Sequence, residues 1–230
     1  MESPVKMRFL ILLLAALACP RLVAQQPQAN LIPNPDFSDA KNPLAGWRVD
    51  FPFESFYTNN VKYVKADNQQ GKTCAAVVLP PGIAGNQGGK VETALVKVEP
   101  GATYRVEVDC MTFDFSAKLE VEVWSHDPKP DQKRGIFRIP AADDHPAMAM
   151  CYRAQVPDPP AASKKWSTTG REFTVPETVT ISGEDQKPEY ISIKAVVYAA
   201  TPNGGKSYFT NFHLFKIKPG AASTAPSTPQ

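Results

Sequence analysis

The sequence lacks any run of helical periodicity long enough to form a helix, which argues against a helical bundle. It also lacks a surplus of charge. In 230 residues, 25 Lys and Arg stand against 23 Asp and Glu, with no basic stripe. Nucleic acid is therefore not an expected partner. Cysteine is sparse, with 4 residues, and the spacing is too wide to suggest zinc. No glycine-rich phosphate loop, no Gly-x-Ser-x-Gly elbow and no diagnostic Cys/His pair is present. Long apolar runs are missing too, apart from Phe9 to Ala18, which is too short to cross a bilayer.

That apolar run follows Lys6 and Arg8, and residues 1–24 read as a signal peptide cleaved after Ala24. The alternative is lipoprotein processing that anchors the chain through Cys19. Either route takes the mature chain out of the cytoplasm, secreted or periplasmic, with no transmembrane segment. Without the leader, 22 basic residues face 22 acidic ones. Cys74, Cys110 and Cys151 remain. One pair could bridge in an oxidising compartment, or all three could be small buried residues.

Proline is abundant, at 23 residues, and favours many short strands joined by loops. Thr103 to Met111 alternates, with Tyr104, Val106, Val108 and Cys110 on one face. Lys118 to Ser125 alternates as well: Leu119, Val121 and Val123 point one way, Glu120, Glu122 and Trp124 the other. Further strands are expected at Cys74 to Leu79, Val91 to Val98, Ile136 to Ile139, Met148 to Val156 and Trp166 to Val175. Asn30 to Phe37 reads as a broken edge strand, and Trp47 starts the next. Phe51, Phe53, Phe56, Tyr57 and Tyr63 form an aromatic cluster expected to cover a sheet edge. Tyr190 to Tyr198, with Ile191, Ile193, Ala195 and Val197 on one face, and Tyr208 to Ile217, apolar on both faces, flank a Pro-Asn-Gly-Gly turn. They are expected to pair antiparallel at the centre of the fold. Pro176 to Pro188 is expected to be loop. Residues 219–230 form a Pro/Ser/Thr/Ala tail with nothing to bury, expected to be disordered. About nine or ten strands without intervening helices imply an all-β, antiparallel two-sheet jelly-roll sandwich over residues 25–218.

Several motifs then carry a resemblance. Asn30-Leu-Ile-Pro-Asn-Pro-Asp-Phe37 followed by Gly46-Trp47 resembles the opening of carbohydrate-binding modules of families 4, 9 and 22. Pro100-Gly-Ala-Thr-Tyr104 resembles their central turn into a strand. Trp166 with Phe173-Thr-Val-Pro176, and Tyr208-Phe-Thr-Asn-Phe-His-Leu214, resemble two later strands. The matches keep their order from about residue 30 to 217. The resemblance implies a galactose-binding-like jelly roll and a polysaccharide or glycan partner. The family often places acidic residues where this chain has Ser38, Thr210 and Asn211, which argues against its structural calcium here. No other cofactor is implied.

A sugar site needs flat aromatic faces and flanking hydrogen-bonding groups. Trp124, on the polar side of its strand with Glu120 and Glu122, is the first candidate platform; the alternative is that it packs under the loop of residues 126–146. Arg105 would join that face if the two strands are neighbours, and Tyr152 and Arg153 could approach it. Two alternatives compete. Glu120 and Glu122, two apart on a strand, could be a glycosidase pair, although no third carboxylate stands in register. His126, Asp127, Asp143, Asp144 and His145 could gather around a metal, although their spacing fits no specific site. The reading is non-catalytic glycan binding, with an extracellular protein-interaction scaffold as the alternative.

Overall fold

The computed structural model describes residues 29–48, 61–65, 73–79, 81, 88–113, 117–131, 137–159, 163–198 and 204–220. The leader, the aromatic cluster apart from Tyr63's backbone, and all but the first two residues of the tail lie outside them. Among the described residues there is no helix. In chain order, the first strands are β1 (Trp47–Arg48), β2 (Val61–Lys65), β3 (Thr73–Leu79), β4 (Gly88–Thr93) and β5 (Val96–Lys97). Then come β6 (Thr103–Phe113), β7 (Ala117–His126), β8 (Arg138–Ile139), β9 (Met148–Val156) and β10 (Ser167–Thr174). The last are β11 (Val179–Ile181), β12 (Glu184–Gln186), β13 (Pro188–Tyr198) and β14 (Gly205–Lys218).

One sheet runs β1-β4-β13-β7-β9-β8, with β5 also on β13; the other runs β10-β6-β14-β3-β2. Their pairing is nested: β3 with β14, β4 with β13, β6 with β10, and β7 with β9, all antiparallel. A chain doubled back on itself and rolled in this way is a jelly roll. The two sheets bury their inner faces together. Val106, Val108 and Phe209 on one side, and Val121, Val123, Ile191 and Ile193 on the other, have no exposed surface.

β13 and β14 are each central, but they do not pair. They sit in opposite sheets and face each other across the core. An apolar strand can satisfy itself by a neighbour in the ladder or by one across the sandwich, and composition does not separate the two. Two further expectations change. Pro176 to Pro188 holds the β11–β12 hairpin. Asn30 to Phe37 is not a strand but a run of bends and turns.

That opening run has a specific task. The β14 ladder with β6 shifts register between Thr210 and His213, and Asn211 has φ 50°. This is a β-bulge, and it exchanges the faces of the strand. Tyr208 and Thr210 stand opposite outward residues Met111 and Asp109, whereas Phe212 and Leu214 turn into the core. Asn30 supplies the hydrogen bonds that the bulge loses. Its Nδ2 donates to the Phe212 carbonyl at 3.1 Å, and its Oδ1 accepts from the Leu214 N–H at 2.9 Å and the Ile32 N–H at 3.1 Å. The Phe212 N–H donates to the Pro35 carbonyl at 3.0 Å. Phe212 then meets Trp47 edge-on, ring centroids 4.7 Å apart, and Trp47 stacks on Phe37 at 4.1 Å. Trp47 Nε1 donates to the Asn34 carbonyl at 3.0 Å. Gly46 has φ 79°, and a Cβ there would fall 2.4 Å from Pro33 Cγ, which explains the Gly-Trp pair.

Cys74, Cys110 and Cys151 are free thiols, and Cys74 and Cys110 are fully buried. Burial pushes Cys110 up to about 11, a contact with Ser167 offsetting this only in part. Burial likewise pushes Cys151 up to about 11.

Asn30→Ala is expected to cost about 2 kcal/mol, since it leaves buried backbone groups unpaired. Urea denaturation measures it, and a loss below about 0.5 kcal/mol would show the bulge is supported otherwise. The thiols give a pH dependence. The folded state keeps their protons longer than the unfolded chain, so their contribution is whole below the ordinary value of 9.0 and is lost as pH rises towards about 11. Urea midpoints should fall across that window, and fall less in a Cys110→Ala/Cys151→Ala variant.

Candidate functional site

The outer wall of the β13-centred sheet carries charges that are not left to solvent. Alternation turns Glu120, Glu122 and Trp124 of β7 outward, as their pattern implied. Register sets Arg153 of β9 beside Glu122, and Lys194 of β13 between Glu120 and Glu92 of β4. Lys194 Nζ contacts Glu122 Oε1 and lies 3.0 Å from Glu120 Oε2. Arg153 reaches Glu122 at 2.9 Å and Glu120 at 3.6 Å. Arg48 and Lys90 approach Glu92 at 3.3 and 3.5 Å. Glu92, Lys90, Glu120 and Glu122 are all less than a tenth exposed. Burial pulls the Lys194 ammonium down, but Glu122 and Glu120 together reverse this and hold it above its ordinary value.

This network bears on two candidate roles. Glu120 and Glu122 share the same two cations, so they act as acceptors in an ion lattice rather than as a free acid and base. Trp124 is only 2% exposed and offers no open face. It packs with Ile139 and Met148, with Leu95, Met150 and Tyr190 around them. Its Nε1 donates to Ser192 Oγ at 3.0 Å, and that hydroxyl donates to Glu92 at 3.0 Å. The cover is part of the long polar stretch after β7. Arg138 of β8 anchors it, 2.6 Å from the buried Asp127, with donations to the Pro130 and Lys129 carbonyls. Of the two expectations for Trp124, an open platform and a side chain packed under the 126–146 loop, the second holds: β8 lies across the wall and closes it.

Exposed aromatic surface lies instead at the β8–β9 edge. Phe137 is 55% exposed and Tyr152 39%. The Phe137 carbonyl accepts from the Met150 N–H at 2.9 Å, which docks it onto β9. The Arg153 guanidinium carbon lies 5.3 Å from the Phe137 ring centroid, a cation–π contact. Arg153 is thus fixed between a ring and two carboxylates. Cys151 sits at a register shift in β9 and packs on the core. Beyond Arg153, an open groove of about 600 Å³ is lined by Gln155, Val156, Pro157, Asp158, Arg171 and Glu172. It lies where β9 and β10 bring the edges of the two sheets together. Arg171 Nη1 donates to the Gln155 carbonyl and Thr169 Oγ1 to that of Pro157.

Arg105 belongs elsewhere. β6 and β7 lie in different sheets, so it stands on the opposite outer wall, 2.7 Å from Glu107 and 3.8 Å from Glu172. The residues proposed for a metal also find other uses: Asp127 pairs with Arg138, and His145 Nδ1 contacts the Pro146 carbonyl. Among the described residues, no group of three or more His, Cys, Asp or Glu side chains could hold a metal ion. Sequence reasoning missed Phe137, Lys194 and Ser192. Phe137 gave one signal, as an aromatic side chain within a polar stretch.

No protein-family model matches the sequence, and no curated protein does. Solved structures do. An arabinose-bound α-L-arabinofuranosidase shares 16% identity over 82% of this chain and 26% of its own, with a TM-score of 0.48. This chain therefore spans about a quarter of that enzyme's length. A family 61 carbohydrate-binding module solved with β-1,4-galactotriose shares 17% identity, over 82% of this chain and 99% of its own, with a TM-score of 0.40. A family 4 carbohydrate-binding module shares 18% identity, over 75% of this chain and 96% of its own, with a TM-score of 0.40. All three TM-scores fall below 0.5, so the assignment of the jelly roll rests on the strand order.

Lys194→Met is expected to destabilise the protein by about 3 kcal/mol, because it strips two buried carboxylates of a shared cation. Thermal and urea unfolding measure this. A change within about 0.5 kcal/mol would mean that Arg153 alone neutralises both.

Proposed function

We propose that this chain binds glycan without catalysing its cleavage, along the β8–β9 edge of the jelly roll. The observation that carries the reading is the exposed Phe137 ring, stacked on a fixed Arg153 and followed along β9 by an open polar groove. A pyranose presents an apolar face and a rim of hydroxyls. Phe137 supplies a face for the first, with Tyr152 a second ring on the other side of the same edge strand, and Arg153, Gln155, Asp158 and Arg171 supply donors and acceptors for the second. Glu120 and Glu122, themselves tied to Lys194, hold Arg153 in place from behind, so little ordering is left for binding to impose. Trp124 serves as the floor beneath β8 rather than as a platform, and Arg105 takes no part. The ion pairing of Glu120 and Glu122 supports a binding protein over a glycosidase. The leader at residues 1–24 supports export to where polysaccharide is met, with residues 25–218 as the binding domain and 219–230 as its tail.

Retention of the mature chain on a panel of neutral polysaccharides tests this. At least one is expected to retain it, with Phe137→Ala and Tyr152→Ala each weakening the affinity about tenfold, or 1.4 kcal/mol. Trp124→Ala should lower stability before it alters affinity. Failure to bind any polysaccharide would favour a protein-interaction scaffold. Binding indifferent to both substitutions would remove the site from this edge.

A further inference from the structure

The opposite outer wall carries a feature that the first site does not use. Val78, Lys206 and Phe113 stand side by side across β3, β14 and β6. In the next row Tyr208 stands between Ala76 and Met111. All these positions alternate with core residues, so they face outward. Trp166 precedes Ser167, the partner of Cys110, which brings its backbone alongside Met111. The chain before it runs along the end of β6: the Lys164 N–H donates to the Thr112 carbonyl at 3.0 Å, and the Ser163 N–H reaches Thr112 Oγ1. Lys164 and Lys165 are thereby placed beside Phe113.

The chemistry of this cluster is uneven. Lys164, Lys165 and Lys206 are exposed, and Phe113, Tyr208 and Trp166 are half-buried. Lys206 Nζ lies 4.9 Å from the Phe113 ring centroid and 5.6 Å from that of Tyr208. The two rings meet edge to face at 5.9 Å. Among the described residues, none of the three lysines has a carboxylate partner, while elsewhere Lys90, Lys129, Lys194 and Lys216 each have one. Trp166 Nε1, closed to solvent, has no hydrogen-bond acceptor among the described residues. Lys206 lies over two of these rings, with Lys164 and Lys165 on the chain alongside, and among the described residues no carboxylate pairs with any of the three, so an anion would relieve their mutual repulsion. Val78, 39% exposed, extends the apolar strip beside them.

We infer that this wall is a second site, for an acidic glycan whose carboxylate or sulfate groups pair with Lys164, Lys165 and Lys206 while its rings lie against Phe113 and Tyr208. The site does not depend on the one along β9. It differs in ligand class, because the cations of that edge are held by carboxylates, whereas among the described residues Lys164, Lys165 and Lys206 have no carboxylate partner.

Affinity electrophoresis of the mature chain tests it, in gels cast with polygalacturonate, dextran sulfate or neutral xylan. Retardation by at least one acidic polymer is expected. A Lys164→Gln/Lys165→Gln/Lys206→Gln variant should lose about tenfold in affinity for it, and Phe113→Ala should weaken it too. Phe137→Ala should leave it intact, which separates this site from the first. A control, Lys41→Gln/Lys97→Gln/Lys118→Gln, removes the same charge from other exposed positions and should bind as the parent does. Retardation by polygalacturonate alone identifies carboxylate as the recognised group, and by dextran sulfate alone, sulfate. No retardation by either polymer would overturn the inference. So would equal losses in the two triple variants, since binding would then follow net charge alone.

Discussion

Asn30 holds the β14 bulge, and both faces of the smaller sheet depend on that hold. Without the bulge, strict alternation would send Phe212 and Leu214 outward along with Tyr208. With it, Phe212 closes the core against Trp47 and Phe37, and Tyr208 stays on the wall. The bulged backbone loses ladder partners, and a buried amide or carbonyl left alone is costly. One carboxamide, offering donor and acceptor at once, meets that need across the width of the fold. Packing of the three rings and pairing of the backbone are therefore one interaction seen from two sides.

Much of this architecture was legible in the sequence, and the illegible parts share a cause. Alternation in β6 and β7 gave the inward residues correctly, because a strand with one buried face and one polar face states its own orientation. The order of the motifs gave the roll. The bulge could not be read, since Asn211 looks like any polar residue of a strand and its positive φ leaves no mark in composition. The pairing of β13 was misjudged for the same kind of reason: local pattern fixes which residues are buried, but not which neighbour buries them. At the candidate site, Glu120, Glu122 and Arg153 were named and do come together. The burial of Trp124 was one of two readings its outward position allowed, and β8, a two-residue strand delivered from the polar loop, decides between them.

The two outer walls follow different electrostatic rules. On the β13 side, cations and carboxylates are matched within a few ångströms and withdrawn from water, so their attraction offsets their desolvation and fixes geometry. Arg153 inherits that rigidity and passes it to Phe137. On the β14 side, Arg105 and Glu107 pair at 2.7 Å in solvent, an interaction of small worth. The lysines near Phe113 have no carboxylate partner among the described residues. A single jelly roll thus offers one prearranged edge and one surface whose charges await a counterpart.

The nested pairing has a consequence for how the molecule is made. Asn30 finds Leu214 only after 184 further residues have been synthesised. Such distant closure slows folding, because loop entropy must be overcome before any ladder completes. The early strands wait with open edges until the final one arrives. Closure of the smaller sheet therefore waits on delivery of its last strand, because β14 pairs with both β3 and β6.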